Sequence, residues 1–312
     1  IESVQYIYHK MEDVISDLGN HDLKKTRLVL VTETWEGDFN AGLDEHLLLK
    51  GAFVTSIKKE YSLYDNGKLK RISLFFEQGF DLPVSIQAAY RSLDIREGKK
   101  VIVIVADSYD YGIKDAFSQT KTWKKILDVN SPIDGAPQGK KIVTQTEYYE
   151  QGLLINIQHE WKNAENINGV KTYVTYRVTY EGLSDLSDDL SGAVKTSQRS
   201  WKEIDNVTNP LTGEGLGEKI VTRIENYELG QKISDIYMWK HGESVRSGRS
   251  KLVNYVIMYE FGMKELINIQ KFYHDVVDTG LGGERLVKVI ENWIKVGDAP
   301  YQQSMQYVYN KF

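Results

Sequence analysis

Cysteine is absent from the chain. That excludes disulfides, thiolate metal sites and cysteine nucleophiles. No run of 18 apolar residues occurs, so no segment is built as a membrane-spanning helix. Prolines number only 5, none of them inside a candidate strand. The six histidines, His9, His21, His46, His159, His241 and His274, are scattered. None falls in HExxH or another close metal-ligand spacing, so each reads as structural or surface. A GxSxG elbow is missing, which leaves a serine hydrolase of that type without support. The glycine-rich GEGLGE (Gly213–Glu218) and GLGGER (Gly280–Arg285) lack a Lys-Ser/Thr ending. Each leads into a strand, so no helix dipole faces an anion. An excess of basic charge is missing too. The net charge is −5 with both signs interspersed, whereas a nucleic-acid binder needs a basic stripe to displace phosphate counterions. No catalytic residue, cofactor site or metal site is therefore assigned.

Tyrosine is abundant, with 20 residues against 9 Phe and 6 Trp in 312. Its ring packs on a pleated surface while its hydroxyl reaches a polar partner, so it favours strands. The apolar fraction of 41% allows a folded core.

Five segments share one spacing. A basic residue, an aliphatic and Val begin at Arg27, Lys141, Lys219, Lys251 and Arg285. An aromatic follows the basic residue at an interval of eight in each: Trp35, Tyr149, Tyr227, Tyr259 and Trp293. These five are read as structural aromatics. If equivalent positions of stacked repeats fall side by side, their rings form a ladder. An acidic residue and a glycine usually come next, as in Tyr149-Glu150-Gln151-Gly152 and Tyr227-Glu228-Leu229-Gly230. Gly67, Gly112, Gly152, Gly182, Gly230 and Gly262 are accordingly predicted to occupy hairpin turns, where glycine supplies positive φ.

The returning strands are related as well. LINIQ occurs at Leu154–Gln158 and Leu266–Gln270, each followed by an aromatic, Trp161 or Tyr273. Links such as NAENING and NPLTGEGLGE look long and polar, so one end of each hairpin is expected to be tight and the other loose. SVQYIYHK at Ser3 matches SMQYVYNK at Ser304, which suggests an array continuing beyond both ends. The chain begins at Ile without a signal peptide and is read as a fragment of something longer.

The predicted fold is all-β: an array of antiparallel β-hairpins forming an extended or curved sheet, repeat- or solenoid-like, with little helix. Residues 1–312 form one array with a soft boundary near 128–140. Met11–Leu18 and Ala116–Leu127 are the best helix candidates. Whether the sheet is open, closed or wound stays undecided. Two binding features compete with structural readings. Asp185–Gly192 is oxygen-rich but lacks the calcium-loop spacing. Tyr149, Trp161, Tyr227 and Trp239 could stack on sugars, against the alternative of cross-strand packing.

The Tyr-Asp/Glu-x-Gly turn, closest at Tyr64-Asp65-Asn66-Gly67-Lys68-Leu69, resembles the tyrosine–aspartate (YD, or Rhs) repeats of large bacterial toxins and surface proteins. Glu mostly replaces Asp in the other copies, and Arg-Leu after the glycine is mostly missing. The resemblance implies a β-rich shell or rod in an exported giant protein and does not imply an enzyme; none is expected. The expected function is thus a structural or adhesive repeat module at a bacterial cell surface or outside the cell. Its partners would be neighbouring repeats, glycans or another surface protein, with no nucleic acid and no membrane span. The alternative is a glycan- or lipid-binding β module using an aromatic face or groove.

Overall fold

The computed structural model describes residues 2–310, apart from 19, 21, 38–52, 66, 114, 182–193, 246, 261–265, 279–283 and 295–301. Its first strands are β1 (Glu2–Ile15), β2 (Lys24–Gly37), β3 (Phe53–Asp65), β4 (Lys68–Glu77), β5 (Ser85–Arg96) and β6 (Lys99–Asp110). β7 (Ser118–Asn130), β8 (Pro137–Glu150), β9 (Leu153–Ile167), β10 (Val170–Glu181), β11 (Val194–Thr208) and β12 (Gly215–Glu228) follow. The last are β13 (Gln231–Ser244), β14 (Ser250–Glu260), β15 (Leu266–Asp278), β16 (Glu284–Ile294) and β17 (Gln302–Asn310).

The all-β hairpin array is what the chain forms. Each strand pairs antiparallel with the next in sequence, from β1–β2 to β16–β17. β17 then pairs with β1 in parallel, Ser3 opposite Gln306 and Ile7 opposite Asn310. The pairings return to their start. With an odd strand number, first and last run the same way, so this one pairing has to be parallel. The matching stretches at Ser3 and Ser304 thus lie side by side.

An interval of eight puts two strand residues on one face. Lys219, Val221, Arg223, Glu225 and Tyr227 share the inner face of β12, and Ile220, Thr222 and Ile224 the outer. Val143, Gln145 and Glu147 of β8 are buried, while Ile142 between Lys141 and Val143 is exposed. Valine on the inner face is fully buried at Val29, Val143, Val221 and Val253, each in a cluster that also holds buried aromatic rings. Among the described residues, the buried ones form four separate clusters around the inner face. A closed sheet of about 16–18 strands is wider than its own side chains can fill, which explains why the described residues build several clusters rather than one core.

Both helix candidates are largely strand. Met11 pairs with Leu28 in the β1–β2 hairpin, and Ile15 ends the strand. Most of Ala116–Leu127 belongs to β7, where Trp123 is buried between the exposed Lys124 and the half-buried Thr122. Period-two burial against two neighbouring strands overrides local helical preference. Asp128–Lys141 closes the β7–β8 hairpin, with Asp128 opposite Lys140.

The tight-end, loose-end expectation is corrected. Gln151–Gly152 and Leu229–Gly230 have φ of 48° and 79°, and 47° and 79°. Positive φ at both central residues marks a type I′ turn. Glu97–Gly98 and Asn168–Gly169 do the same at the opposite end of the sheet. Gly67 and Gly112 also have positive φ. Tyr64 belongs with the second end, since Asp65 pairs with Lys68 across the β3–β4 turn. Gly182 and Gly262, like Asp185–Gly192, lie outside the described residues.

Candidate functional site

On β2, β6, β8 and β12 the inner face carries a carboxylate two residues before the aromatic. Residues two apart share a face, so the pair can close a clasp. Tyr227 donates its hydroxyl to Glu225 at 2.8 Å, and Tyr149 to Glu147 at 2.5 Å. Tyr109 donates to Asp107 at 3.3 Å, and the Trp35 indole N–H to Glu33 at 3.2 Å. Asp107, Glu147 and Glu225 are buried. A buried carboxylate is tolerable only when paired and hydrogen-bonded.

Glu225 shows how that is met. Burial pushes its pKa up, but hydrogen bonds from Arg199, Lys232 and Tyr227 outweigh this and hold it down to about 2. Arg199 lies on β11 and Lys232 on β13, so the carboxylate joins three strands. Burial, and then the bond to Glu147, push the Tyr149 hydroxyl up to about 12. Arg96 of β5 reaches Glu147 of β8 at 3.3 Å and stacks over Trp123 of β7.

The odd-numbered strands supply a second set of aromatics. Trp161 stacks on Tyr176 with centroids 5.4 Å and planes 16° apart. Trp239 stacks on Tyr255 in the same manner. Arg199 and Arg223 both cover the Trp201 ring. Of the four proposed sugar-stacking aromatics, Trp161, Tyr227 and Trp239 are buried and Tyr149 is half-buried under Lys121.

Trp35, Tyr149, Tyr227, Tyr259 and Trp293 all stand on even-numbered strands. An odd-numbered strand separates each from its equivalents, which corrects the expected ladder of like rings. Their neighbours are other residues: Tyr6 edge-on to Trp35, Tyr237 edge-on to Tyr259, and Lys271 over Trp293.

The inner face opens into a cavity of about 560 Å³ where the β11–β12 turn meets β13 and β14. Tyr237, Trp239 and Tyr259 provide aromatic surface, and Asp205, Asn209 and Asp235 provide polar groups. The Trp239 indole N–H has no hydrogen-bond partner although the residue is buried. Asp235 is held by Lys232 at 2.7 Å. Flat aromatic surface beside carboxylate and amide groups suits a hydroxyl-rich ring, one face stacking and the edges hydrogen-bonding.

Among the described residues, no three His, Asp or Glu side chains gather as metal ligands, and no helix is long and apolar enough to cross a membrane. His159 is buried against Gln145 at 2.9 Å, and burial, with Lys125 nearby, pushes its pKa down to about 4. Sequence reasoning missed one recurrent pair. Four of the six tryptophans are followed by lysine: Trp123-Lys124, Trp161-Lys162, Trp201-Lys202 and Trp239-Lys240. All four lie on odd-numbered strands, the ring buried and the lysine exposed. Compared with family models, curated proteins and solved structures, the chain matches none.

Proposed function

We propose that this chain is a structural and adhesive repeat module of a large bacterial surface or secreted protein, without catalysis of its own. The observation that carries this reading is the repeated clasp. The same carboxylate–aromatic pair recurs on β2, β6, β8 and β12, and on β2, β6 and β12 polar or basic side chains of neighbouring strands bond to its carboxylate. A sheet cross-linked in this way at four of its strands resists shear, which is what spanning or encasing requires. The YD-like turns support an exported parent protein.

The test is mechanical. The chain is tethered by its ends and pulled in a single-molecule instrument. A structural module shows a force peak that weakens in Glu225→Ala, because the clasp and its two cations are lost together. A chain that extends smoothly at low force overturns the reading.

The second reading, a glycan- or lipid-binding module, is favoured by the cavity at Tyr237, Trp239 and Tyr259. A glycan screen read by tryptophan fluorescence tests it. The signal for any hit must vanish in Tyr259→Ala while far-UV circular dichroism is unchanged.

A further inference from the structure

We propose that the outer face of the β10–β15 region holds an acyl-chain anion, its carboxylate on Lys202 and Lys240 and its chain along the groove between them and the hollow that adjoins it. The site is separate from the inner cavity and goes beyond the structural reading.

The groove follows from the Trp-Lys pairs. A buried tryptophan places the next residue on the outer face. Lys202 pairs with Thr222, Thr222 with Met238, and Lys240 with Asn254. Lys240 therefore stands one outward position beyond the row of Lys202, one hairpin along. Between them lies a groove of about 530 Å³ lined by Lys202, Thr222, Met238, Lys240, Asn254 and Phe272. A second hollow of about 400 Å³ meets it at Lys202 and Ile220, with Val170 and Ile204 in its walls. From β11 to β15 the outer face spans four strand spacings, about 19 Å.

Two features choose the ligand. The adjoining hollow is aliphatic and open to solvent: Val170, Ile204 and Ile220, the last shared with the groove, are each about 70% exposed, and such contiguous exposed apolar surface marks an interaction site. The charge is positive. Among the described residues, neither Lys202 nor Lys240 has an ion-pair partner. The only acidic side chain in the described walls, Glu203, is already engaged by the Trp201 indole at 3.0 Å and by Arg223 at 3.5 Å. Lysine stems can cover the chain while their ammonium groups reach the head. A hydrophilic polyanion would leave the hollow exposed, and a neutral lipid would leave both ammonium groups without a partner.

The experiment is displacement of a fluorescent fatty-acid probe from the intact chain by monomeric laurate. Acetate and dodecanol serve as head and chain alone, and phosphatidylglycerol and phosphatidylcholine vesicles serve as bilayers. Laurate is expected to displace the probe saturably, one per chain. The Lys202→Gln, Lys240→Gln double variant should lose affinity about tenfold or more, as for a lost charged hydrogen bond. Ile204→Ser should also weaken binding, and all these positions are exposed, so melting should be unchanged. If the double variant melts early, Lys202→Arg, Lys240→Arg must retain binding. Equal displacement by acetate or by dodecanol, an unaffected lysine variant, or binding only to phosphatidylglycerol vesicles would each overturn the proposal.

Discussion

The Trp239 indole lies flat on the Tyr255 ring, centroids 5.4 Å and planes 8° apart, where β13 and β14 place the two residues directly opposite. Trp161 and Tyr176 repeat the arrangement across β9 and β10. Trp239→Ala and Tyr255→Ala should each cost about 3–5 kcal/mol, as buried aromatic truncations do. Their double-mutant cycle should show a coupling of about 0.5–1.5 kcal/mol. Urea unfolding of the four chains measures it. Strict additivity would mean that the stacked faces add nothing beyond burial.

Tyr227 and Tyr259 give the opposite expectation. β13 lies between them, and Tyr227 stands opposite Lys232 while Tyr259 stands opposite Asp235, so the two are separated by two strand spacings and by three residues along the strand. Tyr227→Ala and Tyr259→Ala should each destabilise the sheet. Their effects should add to within about 0.5 kcal/mol. Strong coupling in the same unfolding series would indicate that equivalent rings do meet.

Acid should act in two steps. The pKa of His159 is about 4 in the folded chain against an ordinary 6.5. Below pH 6.5 the unfolded chain takes up a proton that the folded chain refuses, so stability falls as pH drops from 6.5 towards 4. The loss approaches about 3 kcal/mol. Glu225, held at about 2 against 4.5, adds stability that is present above 4.5 and lost as pH falls from there towards 2. Melting temperature against pH resolves both limbs. His159→Gln should remove the upper one and leave the lower in place.

Gly152 and Gly230 each have a φ of +79°, and at either position nothing lies within 4 Å of where a Cβ would stand. Substitution to Val meets no clash with neighbours, only the cost of left-handed backbone, about 1–2 kcal/mol each. Gly242 sits inside β13 without positive φ, so Gly242→Ala should be close to neutral. Thermal melts of the three variants compare them. Equal losses at all three positions would contradict the turn assignment.

Much of the fold was legible because strand physics is local. An interval of eight from a basic residue to an aromatic keeps both on one face, and the glycine after the acidic residue marks a turn. Lys219 to Tyr227 shows both. The clasp was half visible. Glu225 stands two before Tyr227 in the sequence, but a carboxylate on a strand reads as solvent-facing until its burial is known. The Trp-Lys pairs were also present in the sequence. They went unread because each signal is two residues long and its halves face opposite sides.

The sequence by itself determined strands, turns and the two-faced pattern, since alternation and turn chemistry depend on neighbours a few residues away. It did not determine how the strands' register accumulates around the sheet. Only the tertiary structure decided that β17 meets β1, that Tyr64 lies at the end opposite Tyr149, and that Met11–Leu18 and Ala116–Leu127 are largely strand. It also brought Arg199 and Lys232 to one carboxylate and set Lys202 and Lys240 beside one groove. Those outcomes depend on pairings between separate strands, whose side-chain contacts outweigh the local preference of any one segment.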